Sequence, residues 1–144
     1  MTRLAATVLT LALGAQAALA QQATTYPFDG SFEDATFAVE SAIVDRGLVI
    51  DYRSHVGQML NRTGADVGSE VKIYDNADVF LFCSAVLSRR VMEADPMNIA
   101  HCPYGIFVTD HEGQVAIGYR HLPEGPMQEV QALLDEIARE ASGQ

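Results

Sequence analysis

Val79-Phe80-Leu81-Phe82-Cys83 is an unbroken apolar run, with Asp75-Asn76 shortly before it and Ser84 directly after. A strand with one wet face would alternate apolar and polar residues, so a continuous run of this length reads as a strand covered on both faces. Such a strand must lie inside a sheet, with neighbours on either side and a layer packed above it. The surrounding stretch, Val71 to Tyr119, holds the densest set of strand-forming residues, both cysteines, His101, His111 and the clearest turn. Core and chemistry are therefore expected to coincide there.

The remaining elements follow in chain order. Ser31 is placed to cap a helix: its hydroxyl can accept from a backbone amide, and Glu33 and Asp34 complement the positive helix end. Phe32, Ala35, Val39, Ala42 and Ile43 then recur at helical spacing, and Gly47 can take the left-handed conformation that ends a helix. Leu48 to Arg53 reads as a strand with Leu48, Ile50 and Tyr52 on one face and Val49, Asp51 and Arg53 on the other. Ser54 opens a short helix carrying Val56, Met59 and Leu60, ended near Gly64, and 65–70 is loop. Val71 to Tyr74 reads as a short strand broken by the turn-forming pair Asp75-Asn76.

After the central strand, Ser84 caps a helix through Val86, Leu87, Arg90, Val91 and Glu93 that Pro96 stops. Tyr104 to Thr109 and Gln114 to Tyr119 form a hairpin about the four-residue connection Asp110-His111-Glu112-Gly113. Met127, Val130, Leu134, Ile137 and Ala141 mark a C-terminal helix behind Pro123 and Pro126. Helices interleaved with hairpin-linked strands predict an α+β domain: an antiparallel or mixed sheet of about four to five strands with helices packed on one face.

The amino terminus carries a different kind of signal. Arg3, an uncharged and mainly apolar run from Leu4 to Ala17, and the small residues of Ala18-Leu19-Ala20 make residues 1–20 a signal peptide cleaved after Ala20. The run is shorter than the ~20 residues that span a bilayer. The expected mature protein starts at Gln21, is periplasmic or secreted, and makes no membrane contact after cleavage. Residues 21–27 then read as a mobile polar leader and 28–141 as a single domain, a size that can bury its own core. Losing Arg3 takes the net charge from −10 to −11, a surface that repels nucleic-acid phosphates. Nucleic acid is excluded as a partner on that ground.

One passage carries a resemblance. Cys83-Ser84-Ala85-Val86-Leu87-Ser88-Arg89-Arg90-Val91-Met92-Glu93-Ala94-Asp95-Pro96, followed by Pro103 and Gly105-Ile106-Phe107-Val108, resembles the family called domain of unknown function 302. The hairpin, the last helix and the first helix ending at Arg46-Gly47 fit as well, so the similarity covers about Phe28 to Ala141. The resemblance implies a compact α+β fold, often dimeric, without an agreed activity. Many relatives have Asn-Pro where this chain has Ser84-Ala85, and a cysteine where it has Tyr104; here Cys102 precedes the proline instead.

Two cysteines in an exported chain suggest one disulfide, Cys83 to Cys102, closing a loop of about 20 residues that contributes roughly 3 kcal/mol. Two inert buried thiols are the other bland alternative. As a functional thiol, Cys83 precedes a helix start, where amides and dipole lower a thiol pKa, so it is the candidate nucleophile of a redox or sulfur-carrier protein. The Cys-x-x-Cys redox signature is missing. As soft ligands, Cys83, His101 and Cys102 suit Cu(I) or Zn, although adjacent His101 and Cys102 cannot face the same way in an extended segment. His55 and His111 are expected as exposed helix and turn residues. Asp75 and Asp78 beside Asn76 read as hydrogen-bonded turn residues rather than a calcium loop. No phosphate-cradling glycine loop, nucleophile elbow or paired-histidine zinc motif occurs in the sequence.

The expectation from the sequence is a small-ligand or partner-binding accessory protein rather than an enzyme. Its cleft would gather Cys83, Arg90, His101, Cys102 and Tyr104, it would need no cofactor, and its partner would be a small molecule, a periplasmic protein or a second copy in a homodimer.

Overall fold

The computed structural model describes residues 22–144; the expected signal peptide lies outside the described residues. Five strands form one antiparallel sheet in the order β1-β5-β4-β3-β2: β1 Ala23–Pro27, β2 Val49–Ser54, β3 Asn76–Cys83, β4 Tyr104–His111 and β5 Gln114–Arg120. The apolar run lies within β3, between β2 and β4, an interior position. The helices are α1 Phe32–Val44, α2 Val56–Thr63, α3 Ala85–Ala94 and α4 Met127–Ser142. No helix among the described residues is long and apolar enough to cross a membrane.

The helix starts were encoded locally. Ser31 Oγ accepts from the Asp34 amide at 3.1 Å while Asp34 reaches back to the Ser31 amide, a reciprocal capping box. Phe32, Ala35, Val39, Ala42 and Ile43 are all buried. Ser84 caps α3 by accepting from the Leu87 amide at 3.3 Å. α1 and α4 pack against each other and against the sheet. The core between them is built from Phe80, Phe82, Tyr104, Ile106, Val108, Ile117 and Tyr119 below and Val39, Ile43, Val130, Leu134 and Ile137 above.

Several segments differ from expectation. Ala23–Pro27, expected inside the mobile leader, is an edge strand: it pairs with β5, and Tyr26 donates to Asp135 on α4 at 2.5 Å. A strand this short and polar is specified by its partner rather than by its own pattern. Val71 to Tyr74 forms no strand, because β3 starts at Asn76 opposite Asp110 and β4 ends one residue further on. With no partner beyond that point, Val71 and Ile73 stay exposed. The hairpin connection is shorter than expected, two residues at its tip, with positive φ at both Glu112 and Gly113 (53° and 77°), the geometry that matches strand twist.

The difference with the largest consequence is in β2. Ile50 lies opposite Phe82, but Tyr52 lies opposite Leu81, so one extra residue, Asp51, is accommodated as a bulge. The side-chain alternation flips there. Tyr52 leaves the core face, 63 % exposed, and Arg53 takes the face shared with Phe80.

Candidate functional site

Arg53 and Phe80 are directly opposed across β2 and β3, and the Arg53 guanidinium sits over the Phe80 ring, 4.8 Å from its centroid. Two residues before Phe80 on the same face is Asp78, 4 % exposed. Its Oδ2 accepts from Arg53 Nε at 2.7 Å and its Oδ1 from His55 Nδ1 at 2.9 Å. A buried carboxylate is costly without such partners, and here both oxygens are held by groups from one neighbouring segment.

The start of α2 is brought to this point by Gly57. A Cβ there would stand 2.5 Å from the Ala77 backbone nitrogen, closer than carbon and nitrogen can approach, so only glycine lets the helix close on β3. His55 is the residue just before that helix. Around Arg53, His55 and Asp78 lies a cavity of about 190 Å³, lined also by Phe32, Glu33, Gln58 and Asn76.

The ionisation logic follows from geometry. An ionised carboxylate can only accept, so His55 Nδ1–H donates the hydrogen bond to Asp78, and in the neutral imidazole Nε2 is then the lone-pair acceptor. Arg53 spends Nε on Asp78 and has no second hydrogen-bond partner among the described residues, so its terminal nitrogens are available on the cavity side. The pair thus presents a cationic fork and a proton acceptor side by side.

The sequence-derived candidates fall in a second region, where Cys83, Cys102 and Tyr104 come near one another. Both cysteines are free, half-buried thiols, close enough that Cys102 bears on the ionisation of Cys83. The Cys83 thiol is pushed up to about 12 by burial first, then by the Cys102 thiol and the Asp51 carboxylate. That corrects the expectation of a lowered pKa at the helix start: desolvation outweighs the backbone amide of Tyr104 that favours the thiolate. Tyr104 is 1 % exposed, its hydroxyl paired with Ser88 at 2.9 Å and its pKa raised chiefly by burial. Arg90 is bound to Glu129 on α4. His101 lies in the turn before β4, its carbonyl accepting from Arg120 at 3.5 Å. Among the described residues no three His, Cys, Asp or Glu side chains are grouped to hold a metal, so His101 does not complete a ligand set with the cysteines.

The model of the family described as domain of unknown function DUF302 matches residues 23–142. The chain belongs to the DUF302 family. Among solved structures it is similar to the crystal structure of an uncharacterized conserved DUF302 protein from Bacillus stearothermophilus, at 15 % identity and a TM-score of 0.62 over 86 % of this chain and 95 % of that one. That likeness shows a shared DUF302 fold. No functionally curated protein matches the chain.

Sequence reasoning missed Arg53, His55 and Asp78 as a set. Two signals pointed to it: an aspartate set against the apolar run of β3, and Arg53 and His55 at alternate positions at the end of a strand. Neither shows that the two segments are adjacent, nor that a bulge turns Arg53 inward.

Proposed function

We propose that this protein is an exported accessory protein that binds a small ligand, and that the ligand sits in the cavity over Asp78. The observation that carries this is the use of one buried carboxylate to hold two nitrogen-bearing side chains while leaving each a free face in the same cavity. The test is ¹⁵N ring spectroscopy of the histidines in mature protein against a panel of small acids, phosphate, amines and sugars. Movement of the His55 signals with His111 and His121 unmoved supports the cavity as the site; a panel that leaves His55 unmoved refutes it.

A second reading has its own observation, the proximity of Cys83 and Cys102. In an oxidising compartment such a pair closes a disulfide or, reduced, offers two sulfurs to a soft metal such as Cu(I). The raised Cys83 thiol argues against a nucleophilic or sulfur-carrying role, because the thiolate is the reactive form. The native mass with and without alkylation separates these: two hydrogens fewer and no alkylation marks a disulfide, whereas added metal or sulfur mass marks the thiol chemistry.

A further inference from the structure

We propose that the cavity over Asp78 takes a small monocarboxylic acid bearing a hydroxyl beside its carboxylate, an inference that rests on the cavity being the ligand site. The recognition follows from what each wall lacks. The terminal nitrogens of Arg53 form a planar donor fork that matches a carboxylate through two parallel hydrogen bonds. In the neutral imidazole the Nε2 of His55 has the opposite need, because the one ring N–H, on Nδ1, donates to Asp78. A ligand oxygen without a hydrogen leaves Nε2 unpaired, whereas a hydroxyl donates to it.

Charge narrows the class further. Glu33 stands at the same cavity, and both Asp78 oxygens are already occupied. One ligand carboxylate can therefore take the terminal N–H donors of Arg53, whose charge it shares with Asp78, while a second would face Glu33 with no donor or cation to meet it. Phosphate, largely a dianion near neutral pH, meets the same repulsion. An amine is attracted by Glu33 and Asp78, but it meets the Arg53 donor fork and finds both Asp78 oxygens already accepting hydrogen bonds. Size agrees: about 190 Å³ is the space of about six waters at ~30 Å³ each, room for an acid of two to a few carbons.

The test uses the mature chain with glycolate and lactate as probes, acetate and propionate as their counterparts lacking the hydroxyl, and malate as a diacid, measured by calorimetry and by the His55 ring signals. Glycolate or lactate is expected to bind saturably, at least tenfold tighter than acetate or propionate and tighter than malate. Arg53→Gln should weaken every acid at least tenfold. His55→Ala should abolish the preference for the hydroxyl while acetate binding stays within about threefold, a pattern that mere loss of folding does not produce. Glu33→Gln should selectively improve malate. Acetate binding as tightly as glycolate, or malate tighter than either, overturns the hydroxy-acid class. So does phosphate or an amine moving the His55 ring when the acids do not, which leaves the cavity standing as the ligand site. If no probe moves His55, both the class and the site are overturned.

Discussion

The Nδ1 of His55 lies 2.9 Å from Oδ1 of Asp78, a carboxylate almost wholly removed from water. The two residues face each other across the end of the β2–β3 ladder, one position past the Ser54–Val79 pair. Because Arg53 takes the other oxygen, Asp78 works as a clamp on the last turn of β2 and the first of α2, and its removal should be felt in stability as well as in binding.

Replacing Asp78 by Asn keeps the shape but removes the charge that Arg53 and His55 are set around. Breaking a fully buried pair costs 3–5 kcal/mol, and Arg53 is about one-third exposed, so the expected loss is about 2 kcal/mol. Urea denaturation should show a lower midpoint with an unchanged slope. A midpoint equal to the parent's would show that the carboxylate holds nothing together.

Gly57→Ala should act on the same site without touching its charges. The added methyl meets the backbone of Ala77, which is not free to swing away as a side chain could. The start of α2 must back off β3, lengthening the His55–Asp78 contact. Loss of roughly 1–3 kcal/mol, together with a shifted His55 ring resonance, is expected from overpacking of this kind. An unchanged resonance would mean that α2 and β3 are not closely seated.

At the far edge of the sheet, Asp135 accepts hydrogen bonds from the Tyr26 hydroxyl at 2.5 Å, the Tyr119 hydroxyl at 2.7 Å and Arg139 Nε at 2.8 Å. Burial raises its carboxyl pKa, but the hydrogen bonds from Tyr26, Arg139 and Tyr119 together hold it below the usual value. Tyr26 moves the other way, pushed up to about 12 by burial and by Asp135. The carboxylate's contribution is complete above its unfolded pKa of ~3.9 and is lost as pH falls through the lower folded value. The Tyr26 contribution is complete below ~10 and is lost as pH rises towards about 12. Stability measured against pH should therefore fall at both ends. In Tyr26→Phe the alkaline fall between pH 10 and 12 should be shallower by about 1 kcal/mol, allowing for solvent screening. Equal alkaline slopes in the two proteins would show that Tyr26 is not tied to Asp135.

Reduced Cys83 should alkylate at pH 7.5 more than tenfold slower than in the unfolded chain, since the thiolate is scarce when the thiol is pushed up to about 12. Peptide mapping after a short exposure to N-ethylmaleimide measures this directly. Rapid labelling of Cys83 would restore it as a nucleophile candidate. Oxidation of the pair by a disulfide reagent should raise stability by up to about 3 kcal/mol, the loop-closure value for some 20 residues.

What the chain determined by itself is what depends on near neighbours in sequence. The capping box at Ser31, the buried face of α1, the stop at Gly47, the interior strand from Val79 to Cys83, the positive φ at Gly113 and the family passage after Cys83 are all set within a few residues, by side chains that satisfy adjacent backbone or repeat at the period of their element. The meeting of Cys83 and Cys102 was legible for a related reason, as the ends of two strands separated by one helix. Tertiary structure decided the rest. Ala23–Pro27 is a strand only because β5 and Asp135 are there to receive it, and Val71 to Tyr74 is not one because β4 has already ended. Arg53 faces inward only because the bulge at Asp51 breaks a period that the sequence of β2 would otherwise have kept. Register is a property of two strands together, so a one-residue slip reverses which side chains are inside while leaving each strand's own pattern unchanged. That slip placed Arg53, and with it His55, against Asp78.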